Sequence, residues 1–105
     1  MTSVFARYKH QDFYEISKAY FEMHGYTMVQ SAPADIMIMD LDSLPDYPDV
    51  GGSRLVIFIS VSDRLYWGEK LPPHDMYWLK PIDIWYRLDL IIKIWEHIIK
   101  PKSLI

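Results

Sequence analysis

The chain has no cysteine, so disulfides, thiolate metal sites and a cysteine nucleophile are excluded. A reducing compartment is compatible with this, and the chain is read as cytoplasmic. Basic charge is not in excess: 11 Lys and Arg stand against 14 Asp and Glu, for a net charge of −3. Without a basic stripe, no nucleic-acid partner is expected. No apolar run approaches the roughly 20 residues of a membrane span. The longest runs, such as "LVIFI", are strand-sized, so no membrane partner is expected either. The N-terminal stretch "MTSVFARYKHQDF" has no apolar h-region, and a signal peptide is not expected. No G-x-G-x-x-G, P-loop or G-x-S-x-G pattern occurs, and the glycine pair of "VGGS" reads as a turn. His10, His24, His74 and His97 are scattered without HxxxH or HExxH spacing. No metal or acid–base role is expected of them. Repeats, low-complexity segments and linkers are lacking too, which predicts one domain over residues 1–105.

What remains is apolar and aromatic. Half of the 105 residues are hydrophobic and 15% are aromatic, enough for a small but real core. "SVFARY" (3–8) alternates as a strand. "HQDFYEISKAYFEMHGY" (10–26) follows as a helix, with Asp12 and Glu15 spaced as a capping box and Gly25 as its stop. Phe13, Ile16, Ala19, Tyr20 and Met23 would form its apolar face. "TMVQS" (27–31) is a short strand. "ADIMIMDL" (34–41) and "RLVIFIS" (54–60) are continuous apolar strands, the pattern of a sheet covered on both faces. Between them, "DSLPDYPDVGGS" (42–53) is a loop, and its aspartates Asp42, Asp46 and Asp49 read as a solvated acidic surface. Residues 61–75 hold one or two helical turns, broken by Gly68 and the Pro72-Pro73 pair. "MYWLK" (76–80) is a fifth strand, and "DIWYRLDLIIKIWEHIIK" (83–100) a helix capped by Asp83 and stopped by Pro101. The order predicts a three-layer α/β fold with a five-stranded, mostly parallel sheet and few helices.

Three strand ends then coincide. In a parallel sheet, Asp40, Ser60 and the pair Lys80-Pro81 fall on the same C-terminal edge, where open α/β sheets place their sites. In that chain order an acid, a hydroxyl and a lysine followed by proline resemble the response-regulator receiver domain, with its CheY-like, flavodoxin-type sheet. "PADIMIMDLDSLP", "RLVIFIS" and "YWLKPID" are similar to its third, fourth and fifth strands. The resemblance implies a phosphoacceptor at Asp40, a switch hydroxyl at Ser60 and a phosphate-pairing lysine at Lys80, with a cis bond to Pro81.

The same resemblance marks departures. Receivers end their first strand on two acids that hold Mg²⁺; here "VFARYKH" gives Arg7 and Tyr8. Mg²⁺ requires oxygen ligands, and an arginine supplies none. Only "AP" (32–33) separates the second strand from the third, so no helix fits between them. The crossover after the third strand has lost its helix as well. Pro45 comes five residues after Asp40 where the family places a proline four after. Phosphoryl transfer to a carboxylate relies on a metal and a cation to neutralise developing charge. The chain therefore resembles a degenerate pseudo-receiver of two-component signalling that has kept the scaffold, with no enzymatic activity, cofactor or metal expected. In it, Lys80 would pair with Asp40. A phosphorylatable receiver, with metal ligands from Asp42 or elsewhere, is the alternative; so is a docking domain excised from a larger phosphorelay sensor.

A binding role is expected from the apolar surface. On a helical wheel, Ile84, Leu88, Ile91, Trp95, Ile98 and Ile99 form one stripe of the last helix. Trp85, Leu90 and Ile94 extend the apolar arc beyond what one sheet face needs, and Tyr66 and Trp67 add aromatics before the fifth strand. These five residues are the predicted interaction surface for a protein partner: a regulator, a kinase, or a second copy in a homodimer through the last helix.

Overall fold

A computed structural model describes residues 1–43 and 49–102. Five strands form one sheet: β1 (Ser3–Arg7), β2 (Thr27–Met28), β3 (Ile36–Asp40), β4 (Leu55–Ser60) and β5 (Met76–Leu79), in the order β2-β1-β3-β4-β5. All four pairings are parallel. The helices are α1 (Gln11–Met23), α2 (Arg64–Trp67) and α3 (Ile84–Ile94). A 3-10 turn at Gly68–Lys70 extends α2, and α3 continues as a π turn at Trp95–Ile99. Each of the five expected strands exists, the first, fourth and fifth shorter by one residue and the second and third by three. The second is reduced to Thr27–Met28, although Val29 N–H still donates to Val4 O (2.9 Å) beyond it.

That brevity explains how β2 connects to β3 without a helix. Met28 and Ile36 both lie level with Val4 in the sheet. The intervening chain need only pass over β1, about two inter-strand spacings or ~10 Å. It has no strand length to retrace. The link from β3 to β4 opens with a 3-10 turn, Leu41–Ser43. Pro45 and Asp46 lie outside the described residues.

Side chains alternate between two cores. Val4, Ala6, Ile36, Ile38, Leu55, Ile57, Ile59 and Trp78 face α1 and α3. Met37, Met39, Val56 and Phe58 face the other way, onto Leu41, Val50, Trp67 and Leu71. The first layer is two long helices, and the third is one short helix with loop side chains.

Helix α1 departs from the expected face. Its buried residues are Ser17 and Phe21, while Met23 and Ala19 are exposed. Ser17 can sit at the centre because its hydroxyl donates to Tyr8 Oη (2.9 Å), so a polar residue occupies the middle of the apolar stripe. The capping box is absent too. The helix begins at Gln11 after His10, which makes no side-chain cap, and Asp12 falls inside the first turn, where it favours the helix dipole. Gly25 (φ +83°) does end the helix segment, in the conformation that glycine adopts most easily.

Helix α3 is capped by Asp83, whose carboxylate accepts from Tyr86 N–H (3.3 Å). It does not stop at Pro101. Proline in a regular helix crowds the carbonyl four residues back. Here the helix widens just before it, Lys100 N–H donating to Trp95 O across a π turn, and runs on through Lys100–Lys102. The wider turn shifts the inward phase: Ile99 packs on the core and Ile98 is exposed.

Candidate functional site

The registers of β3, β4 and β5 bring the predicted residues to one edge. Asp40 pairs with Ile59, and Ser60 with Leu79. Lys80 follows directly, with Lys80 N–H on Ser60 O (2.8 Å) and a cis bond to Pro81. Asp40 is 1% exposed and Ser60 fully buried.

Asp40 is saturated. Its Oδ1 accepts from Lys80 Nζ (2.8 Å) and Asp42 N–H (3.1 Å). Its Oδ2 accepts from Lys80 Nζ (2.7 Å) and Lys9 N–H (3.0 Å). A carboxylate offers about four acceptor positions, and here all are taken.

Sequence reasoning placed Asp42 on a solvated loop, and the structure corrects this. The side chain is only 12% exposed. Leu41 anchors in the second core, and the turn at Leu41–Ser43, tied by Ser43 Oγ to Asp40 O (2.7 Å), swings Asp42 back over the strand tips. Its Oδ2 meets Lys80 Nζ (2.9 Å) and Val61 N–H (2.9 Å), and its Oδ1 accepts from Ser60 Oγ (2.7 Å). Two residues after a strand-end aspartate, an acid within reach of the same lysine was the available signal. Asp49, by contrast, is exposed and closes a turn through Gly51 N–H (3.0 Å).

Burial by itself would push the Asp42 carboxyl up; hydrogen bonds from Lys80, Ser60 and Val61 outweigh it and hold the group below the usual carboxylate range. For Lys80, burial pulls the ammonium down, but bonds to Asp40 and Asp42 prevail and raise it. Ser60 Oγ also accepts from Ser62 N–H (3.0 Å), and Ser62 O accepts from Tyr77 Oη (2.6 Å).

The Mg²⁺ implied by the receiver resemblance does not fit these side chains. Arg7 is exposed, and Tyr8 is turned to Ser17, its hydroxyl raised by burial, with Asp40 adding to that rise. The lysine ammonium already contacts three carboxylate oxygens. Among the described residues, no third His, Asp or Glu joins Asp40 and Asp42.

The five predicted surface residues divide. Tyr66 and Trp85 are exposed, at 71% and 56%. Leu90 and Ile94 are half-buried against the first core and Trp67 against the second, so they do not form open surface as expected. The reduced third layer draws Trp67 inward, and the seam with α1 takes up much of α3. Leu65 and Met23 are exposed apolar residues that the sequence reading did not assign to the surface. It also missed an apolar hollow of about 360 Å³ beside Lys80, lined by His10, Phe13, Val61, Pro81 and Ile82.

No helix among the described residues is long and apolar enough to cross a membrane. No protein-family model matches the chain, and no curated protein matches it. Solved structures do. The ChxR receiver domain from Chlamydia trachomatis superposes with a TM-score of 0.62 at 14% identity, over 92% of this chain and 100% of that one. A response regulator protein from Burkholderia multivorans gives 0.59 at 15% identity, over 90% and 95%. With the strand order 2-1-3-4-5, the all-parallel pairing and these superpositions, the chain has the CheY-like fold of response-regulator receiver domains, with reduced helices.

Proposed function

We propose that the chain is a receiver-like protein-interaction module of bacterial two-component signalling, cytoplasmic and non-catalytic, a pseudo-receiver that binds rather than transfers. One observation carries this reading: every acceptor position of Asp40 is occupied by groups of the chain itself. A carboxylate that attacks phosphorus needs a free lone pair and a cation to neutralise the charge that develops. Here the cation is Lys80, bound to the nucleophile and to Asp42 together. Incubation with acetyl phosphate, or with beryllofluoride, and Mg²⁺ should give no mass gain and no amide shift around Asp40. A gain or shift that disappears in Asp40→Asn would overturn the reading.

The proposed partner is a protein, either a regulator, a kinase or a second copy. The exposed aromatic residues Trp85 and Tyr66 support this, since aromatic anchors dominate interface energies. Trp85→Glu should abolish capture of the partner, or halve the solution mass if the partner is a second copy, with an unchanged circular dichroism spectrum. Unaltered binding and mass would remove α3 from the surface.

A further inference from the structure

Lys80 and Asp42 do more than fill a site. Asp42 reaches from the turn after β3 to the tip of β4 and the residue beyond it, through Ser60 Oγ and Val61 N–H. Further hydrogen bonds follow along the same segment. Ser62 N–H rests on Ser60 Oγ (3.0 Å), Ser62 O receives the Tyr77 hydroxyl (2.6 Å), and Asp63 caps α2 by accepting from Tyr66 N–H (3.2 Å). The segment held in this way carries Val61, Leu65 and Tyr66, which are 69%, 88% and 71% exposed. These side chains have little burial of their own to fix the backbone. Trp67, packed on the second core, anchors the far end of the segment; the near end is held by the polar contacts that start at Asp42.

We propose that Asp42 is the positioning residue of the segment after β4: balanced by Lys80, its carboxylate holds residues 61–66 in one conformation with no bound ion or modifying group. The aspartate takes its charge partner from within the chain, so the segment is set permanently rather than on demand. The proposal takes its purpose from the interaction-module reading, but it rests on hydrogen bonds that exist whether or not Asp40 is ever modified. A mass gain at Asp40 would overturn that reading and leave this one standing.

Native-state amide exchange on the full chain, followed across low denaturant concentrations, tests it. Asp42→Ala should accelerate exchange at Val61, Ser62 and Tyr66 by about tenfold or more, the loss of a charge-assisted bond, through a local opening that is insensitive to denaturant. Amides of β1 and α3, which exchange through global unfolding, should accelerate by a smaller factor under the same conditions. Asp42→Asn keeps an acceptor oxygen and should restore much of the protection. A uniform acceleration over the whole chain, or none, would overturn the proposal, because a merely structural role moves every amide by global unfolding. If Asp42→Ala does not fold, Ser60→Ala decides: Ser62 loses its acceptor and should exchange faster, while Val61, still bound to Asp42, should not. Equal behaviour of the two amides would refute the chain of contacts.

Discussion

Replacing Lys80 with methionine should lower the unfolding free energy by about 3–5 kcal/mol, the range seen when one partner of a buried ion pair is removed. The side chain is 13% exposed, and its ammonium contacts three carboxylate oxygens within 2.9 Å. Methionine fills the same volume but leaves Asp40 and Asp42 as two uncompensated charges with no competing cation between them. The variant should show a lower denaturant midpoint with an unchanged slope. Adding Asp40→Asn and Asp42→Asn to the variant should recover part of the loss, because neutral amides need no counter-charge. A loss below about 1 kcal/mol would mean that the cluster is screened like a surface pair.

The pH dependence has a definite sign. Asp42 titrates below its ordinary value when folded, so its contribution is present above the usual carboxyl range and is lost as pH falls through the folded value. Lys80 titrates above its ordinary value, so its contribution is present below the usual lysine range and is lost as pH rises through the folded value. Wild type should be most stable between these limits. The gap between wild type and Lys80→Met should be widest near neutrality and should narrow below about pH 4, where carboxylates take up protons.

Trp95→Ala should cost about 3–5 kcal/mol, as expected for a large buried aromatic. The indole is 2% exposed, at the start of the π turn. Its Nε1–H donates to Thr2 Oγ1 (3.1 Å) and Arg54 lies over its ring at 5.1 Å. Truncation would open a cavity where the last helix meets the sheet and would leave Arg54 without its platform. Trp85→Ala, on the same helix but 56% exposed, should change stability by no more than about 0.5 kcal/mol. Equal losses at both positions would contradict the helix orientation.

The sheet was legible in the sequence because parallel strands covered on both faces need continuous apolar runs, and "IMIM" and "LVIFI" supply them. The edge holding Asp40, Ser60 and Lys80 was legible for the same reason: the chain direction alone puts all three tips together. Asp42 was not. Its burial depends on Leu41 plugging the second core and turning the chain back, a tertiary event hidden among prolines and aspartates that read as solvent-facing. The α1 face was misjudged because a serine occupies its centre, and a hydrophobicity pattern discounts a hydroxyl whose partner, Tyr8, lies outside the helix. Pro101 misled for the opposite reason. A local rule predicts a break, but a five-residue π turn ahead of it removes the clash.

The position of β5 has a consequence for solubility. It is an edge strand rich in aromatic and aliphatic residues, with Leu79 half exposed, the sort of strand on which other chains add themselves. It is also only four residues long, with Pro72 and Pro73 shortly before it and Pro81 just after. Proline cannot donate to a ladder, so an incoming strand meets a template too short for the six or seven residues of a cross-β segment. The proline that shapes the turn at the charge cluster thus also guards this edge of the sheet against fibre growth.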